Sequence, residues 1–179
     1  MRVITAPEPL NIKDDDVVVF LAGGITNCPN WQWDVIKLLK DAVNDYPNLV
    51  ILNPRRDNFP TDDPNASEEQ ITWEFNALAR CTVISMYFSD GDSDQPICMY
   101  ELGRNIVRMQ MKYPIDWQDR LIISTSYGYK RYPDVLIQTE LACGIIDKLL
   151  ASPSSKALIE YHAGAIIDTY KQLRQRGTY

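Results

Sequence analysis

Apolar runs separated by polar stretches rich in glycine and proline divide the chain into alternating short and long segments. Asp16 to Ala22 and Leu49 to Leu52 are nearly continuous apolar runs, the pattern of central strands covered on both faces. Cys81 to Phe88 and Leu121 to Ser124 repeat it. Between them apolar residues recur at helical spacing. Trp33, Ile36, Leu39 and Val43 predict a helix over about 31–43; Ile71, Phe75 and Leu78 predict a second; Leu102, Ile106 and Met109 predict a third over about 97–112. Residues 134–138 read either as a fifth strand or as the start of a helix that includes 141–150, and a final amphipathic helix covers about 154–176. Strands alternating with helices predict an α/β protein, here one domain over 1–179 with its core at about 16–150.

In an open α/β sheet, ligands bind in the crevice beyond the carboxyl ends of the strands, so the residues that follow each strand are the chemical candidates. Gly23 and Gly24 follow the first long strand, where they either let the backbone approach a ligand, with amides beyond to receive an anion, or simply make a tight turn. Arg55 and Arg56 follow the next; they suit bidentate contact with phosphate or carboxylate, or salt bridges to Asp57, Asp62 or Asp63. Residues 57–66 form a loop long enough to fold over a site. After Phe88 comes the acidic loop Ser89 to Pro96, and then Glu101 in the stretch MYELGR, in the first turn or two of a helix whose N-terminus favours an ionised carboxylate.

A second acid is marked by its place on a helix. Ser67-Glu68-Glu69-Gln70 has the form of a capping box, and Glu74, about 60° from Ile71 on the helix that follows, lies at the edge of the apolar stripe. An acid there costs desolvation energy unless paired. Glu74 is therefore either an interfacial residue bound to a backbone amide or Arg80, or a second acid in the crevice of Glu101, with burial favouring its protonated form. The segment TSYGYKRYP combines Tyr129 with Lys130 and Arg131, which suits stacking on a flat ring or packing between subunits.

Composition narrows the classes. A net charge of −6 and a pI near 4.8 argue against a nucleic-acid surface, which needs clustered Lys and Arg. No run approaches the roughly 20 apolar residues of a membrane span, and the first residues, MRVITAPEPLNIKDDD, lack the basic and apolar regions of a signal peptide, so a cytoplasmic protein is expected. Cys28, Cys81, Cys98 and Cys143 show no CxxC spacing and His162 is the only histidine, so no zinc site or disulfide framework is expected and His162 reads as structural. Asp90, Asp92, Asp94, Ile97 and Glu101 match the spacing of a calcium-binding EF-hand loop, but Gln95 stands where that loop needs glycine, Pro96 follows it, and the entering element is a strand. No metal and no cofactor are expected.

Taken together, FLAGGIT, NPRR, QITWEFNAL, CTVISMYF, YELG and YKRYPDVLIQ, in that order over roughly 16–145, resemble the nucleoside 2-deoxyribosyltransferase-like family. The resemblance implies a flavodoxin-like three-layer sandwich around a mostly parallel five-stranded sheet, with a C-terminal helical extension. It implies cleavage of the N-glycosidic bond of nucleosides or nucleotides, with Glu101 as nucleophile and transfer of the sugar to another free base or to water. Glu74 matches the family's acid on the helix before the central strand, where the better-known transferases carry Asp; Phe20 matches a position where many carry Tyr. A third acid falls at Asp92 or Asp94, and Phe20, Gly23, Gly24, Arg55, Asp92, Tyr129 and Arg131 are the implied substrate contacts. The resemblance also implies a homo-oligomer, with loop 127–132 and the final helix as candidate contacts. The departures at Phe20 and Glu74 keep a second reading open, a nucleotide-binding or sensing module without turnover; the acidic loop keeps a third, a calcium-responsive interaction protein.

Overall fold

The computed structural model describes residues 1–42, 46–144 and 146–178. Six strands form one parallel sheet: β1 (Arg2–Thr5), β2 (Val17–Gly23), β3 (Leu49–Asn53), β4 (Val83–Phe88), β5 (Leu121–Ser126) and β6 (Leu149–Ser152), in the spatial order β1-β3-β2-β4-β5-β6. Strands β2 to β6 alone have the 2-1-3-4-5 order of flavodoxin-like sheets. The five strands expected are corrected to six, all parallel, because β1 adds to the edge beside β3. Being a four-residue edge strand, β1 carries no continuous apolar run that would announce it.

Helices α1 (Trp31–Asp41) and α5 (Ser155–Arg176) cover one face; α2 (Ala66–Arg80), α3 (Pro96–Lys112) and α4 (Tyr132–Cys143) cover the other. The alternation of strand side chains feeds two cores. Val17, Val19 and Leu21 of β2 point to the α1/α5 side, whereas Val18, Phe20 and Ala22 point to the α2/α3 side. All seven β2 residues except Gly23 are buried, which explains the unbroken apolar run.

Four sequence expectations change. Residues 134–138 belong to α4, led by Pro133 near its start, and the fifth strand of the core sheet is β6, which overlaps the end of the stretch assigned to a helix over 141–150. The predicted first helix ends at Asp41, and Val43 lies outside the described residues. In α2 the buried face is Trp73, Ala77 and Leu78, while Ile71 and Phe75 are exposed, because Trp73 anchors the helix inward and its indole N–H donates to the Glu8 carbonyl at 2.7 Å. The capping box does not form either. The helix starts two residues early, after Asn65, without a side-chain cap bond, and Gln70 turns toward other partners.

His162 fastens α5 to the middle of the sheet. Its ring, fully buried among Trp31, Tyr87 and Tyr161, bonds Ser85 Oγ of β4 at 2.7 Å through Nδ1 and Ser124 Oγ of β5 at 2.6 Å through Nε2. Burial alone lowers its pKa from 6.5 to about 3. Because the unfolded chain takes up this proton and the native state does not, His162 contributes full stability above its unfolded pKa and loses it as pH falls toward the folded value. Urea unfolding is expected to show stability dropping by up to about 1.4 kcal/mol per pH unit in that acid window from this group, and His162→Gln should lose that part of the slope. An unchanged slope in the variant would show that the ring does not titrate on unfolding.

Candidate active site

Strands β2 and β4 are neighbours from which the chain departs to opposite faces, α1 after β2 and α3 after β4. That makes their carboxyl ends the topological switch point where such sheets bind ligands. The two glycines after β2 are demanded by this junction. Gly23 has φ 148°, and a Cβ there would lie 2.3 Å from the Tyr87 carbonyl; a Cβ on Gly24 would lie 2.4 Å from Cys28 Sγ and 2.8 Å from the Gln95 side chain. Their role is close packing of the loop against β4 and the start of α3.

A crevice of about 180 Å³ opens there, lined by Phe20, Gly23 and Gly24 from the β2 side, Glu74 from α2, and Gln95, Cys98 and Glu101 around α3. A second lobe of about 390 Å³ shares Ile25, Thr26, Pro54 and Glu74 with it and extends under the loop after β3, to Arg56, Phe59 and Gln70. A larger cavity of about 490 Å³ lies along α5 at the amino ends of β5 and β6, the opposite edge of the sheet. Its one ammonium, Lys148, is already bonded to the Asp119 carbonyl and Thr169 Oγ1. The crevice between α2 and α3 is the one that lies at the switch point.

Glu74 and Glu101 face the same small space, and this governs their protonation. Burial raises the pKa of Glu74, opposed by a hydrogen bond from Gln70 and by the charge of Arg56. Glu101 goes higher, to about 7, first through burial and then through the charge of Glu74, with Arg104 opposing. The expected helix-dipole effect does not prevail, since Glu101 is the sixth residue of α3 and the field of a helix end fades within the first turn. Burial thus favours the protonated form of both acids, against the expectation from sequence of a readily ionised Glu101.

Gln70 is the residue that sequence reasoning assigned to a cap and the structure assigns to the site. Its Nε2 donates to Glu74 Oε1 at 2.7 Å and to the Pro54 carbonyl at 2.6 Å, and its Oε1 accepts from Arg56 Nε at 2.7 Å. Arg56 is held further by Glu69 at 2.8 Å. The one available signal was its place one turn before Glu74, which puts both on one helix face. Gln95 left no comparable pattern. It sits in the acidic loop, buried, with its amide joining the Gly24 N–H at 3.1 Å to the Ser89 carbonyl at 2.7 Å.

Other predicted residues lie away from the crevice lining. Arg55 donates to the carbonyls of Pro29 at 2.7 Å and Cys28 at 3.0 Å, bracing the turn before α1. Asp94 pairs with Lys130, and Arg131 pairs with Asp134 at 3.3 Å, both on the exposed side of the loop after β5. Tyr129 is buried, stacked on Phe88, its hydroxyl donating to the Asp94 carbonyl at 2.8 Å. Asp92 is exposed. The acidic-loop carboxylates diverge, and among the described residues no group of three or more His, Cys, Asp or Glu is placed to hold a metal ion. No described helix is long and apolar enough to cross a membrane.

This is an α/β fold of the doubly wound class with paired acids at its switch point. Residues 16–123 match the family described as nucleoside 2-deoxyribosyltransferase like, and the chain belongs to that family. No curated protein matches the chain significantly. The matched segment runs from β2 into β5, so it contains Phe20, both glycines, Glu74 and Glu101.

A raised carboxyl pKa means the native state holds the proton longer than the unfolded chain. The cost of ionising Glu101 is therefore absent below its ordinary pKa of 4.5 and complete above about 7. Glu101→Gln is expected to be more stable than the native protein at alkaline pH by about 1–3 kcal/mol, with the difference shrinking as pH falls toward the ordinary carboxyl pKa. Thermal melts across that range check it, and a pH-independent difference would contradict it.

Proposed function

We propose that the protein cleaves the N-glycosidic bond of 2′-deoxynucleosides or their 5′-monophosphates and passes the deoxyribosyl group to another base or to water. The observation that carries this reading is the pair of part-buried carboxyls, Glu74 on α2 and Glu101 on α3, that line one crevice at the β2/β4 switch point, both with raised pKa values. Glycoside chemistry needs two carboxyls in different states. In the working complex Glu101 is the carboxylate and Glu74 the acid. Positive charge developing at C1′ favours the ionised form of the group nearest to it, and the proton then resides on Glu74.

The first step forms a bond from a Glu101 oxygen to C1′ as the C1′–N bond breaks. The electron pair of that bond leaves with the base, which takes the proton from Glu74. In the second step an acceptor nitrogen or a water oxygen attacks C1′, the C1′–O bond to Glu101 breaks, and Glu74 recovers a proton from the acceptor. Gln70 and Arg56 orient Glu74 throughout. Phe20 supplies no hydroxyl toward Glu101, and among the described residues only burial and neighbouring charges set that group's pKa. This leaves the nucleophile held by packing.

Family resemblance also supports assembly into a homo-oligomer, and the exposed apolar residues favour a face other than loop 127–132 and α5. Ile71 and Phe75 of α2 with Ile97, Tyr100, Val107 and Met111 of α3 flank the crevice and are all more than half exposed.

Chromatography of reactions with each 2′-deoxynucleoside, with and without a different free base, tests the function. A new nucleoside formed only with the acceptor marks a transferase; free base with free sugar marks a hydrolase. Glu101→Ala should lower kcat/KM by at least about 10³-fold and Glu74→Gln by about 10²–10⁴-fold. A folded protein that binds nucleosides and forms no product would replace this reading with the binding module.

A further inference from the structure

Gln95 adopts a conformation that a long side chain does not favour. Its φ and ψ of 46° and 47° lie in the left-handed region, and it provides no side-chain cap to α3. What the conformation achieves is a bridge across the crevice mouth: the buried carboxamide accepts from the Gly24 amide at 3.1 Å and donates to the Ser89 carbonyl at 2.7 Å. Gly24 N–H lies just past the end of β2, on the crevice wall, where a backbone amide would otherwise receive an anionic oxygen. The protein's own amide oxygen occupies it.

The surroundings repel anions as well. Gly91 presses on the turn after Gly24 so closely that an added Cβ would lie 2.7 Å from the Asn27 carbonyl, while Asp90 turns away to accept from Ser155 Oγ at 3.3 Å and Asp92 is exposed. Within the crevice stand Glu74 and Glu101. The nearby basic groups are engaged: Arg55 with two backbone carbonyls, Arg56 with Gln70 and Glu69, Lys130 with Asp94. Arg104, whose charge reaches Glu101, lies over the rings of Phe75 and Tyr100 and not on the crevice lining. A dianionic phosphate entering this region would meet carboxylates without a free cation to offset them.

We propose that Gln95 is a specificity-determining residue whose carboxamide plugs the glycine-loop amide and, with the crevice carboxyls Glu74 and Glu101, restricts the crevice to 2′-deoxynucleosides that carry no 5′-phosphate. This rests on the nucleoside-cleaving reading of the site and narrows its substrate class. The test compares Gln95, Gln95→Gly and Gln95→Glu. Glycine suits the left-handed backbone and removes the plug, whereas glutamate keeps an acceptor for Gly24, gives up the donor to the Ser89 carbonyl and adds charge.

Dissociation constants for the common 2′-deoxynucleosides and their 5′-monophosphates are measured by calorimetry in a Glu101→Gln background, with kcat/KM for both substrate sets in the otherwise native protein. With Gln95 present, nucleosides are expected to bind at least about 30-fold more tightly than monophosphates. Gln95→Gly should melt no lower and narrow that gap by about 10-fold, while Gln95→Glu should preserve it. Monophosphates binding as tightly as nucleosides, or an unchanged gap in a folded Gln95→Gly, would overturn the proposal. Selective nucleoside binding without turnover would support it while removing the catalytic reading; binding of neither ligand would overturn both.

Discussion

Two carboxyl groups placed in one desolvated crevice cannot both be charged without a large penalty, and the structure around Glu74 and Glu101 manages that conflict. Burial raises both pKa values, and the charge on Glu74 raises that of Glu101 further, to about 7. Gln70 and Arg56 act in the other direction on Glu74 alone. The asymmetry between the two acids comes from α2, which supplies Glu69 and Gln70 on one turn and Glu74 on the next, with Arg56 reaching in from the loop after β3. Two carboxyls in different environments are the minimum equipment for general acid and nucleophile roles in one site.

Holding that pair in place requires a rigid frame. The central strands β2 and β4 are buried on both faces, and the junction at their carboxyl ends is packed closely enough that neither Gly23 nor Gly24 has room for a side chain. His162 ties α5 to β4 and β5 from the other face of the sheet. The same strand β4 thus carries a structural contact on one side and leads into the site's loop and α3 on the other.

How much of this the sequence showed follows from how strongly each feature is written into local pattern. Strands covered on both faces leave unbroken apolar runs, so β2, β3, β4 and β5 were legible; the four-residue outer strands β1 and β6 are too short and too exposed to do so. Glu101 and Glu74 were legible through their positions after a buried strand and beside an apolar stripe, and both line the crevice. Arg55, Asp94, Tyr129 and Arg131 had suitable chemistry, but tertiary partners that no local pattern encodes occupy them elsewhere. Gln70 was misread because a capping box and a site residue share one motif. Gln95 was invisible because its role depends on a left-handed backbone and on a partner in Gly24, far away in the chain.

The central claim is that Glu101 becomes covalently attached to the sugar, and the most direct measurement is mass spectrometry of the protein quenched in acid during turnover of a 2′-deoxynucleoside, followed by peptide mapping. The account predicts a deoxyribosyl adduct on the peptide that contains Glu101, present in the native protein and absent from Glu101→Ala. Turnover without any adduct, or an adduct carried by another residue, would contradict it.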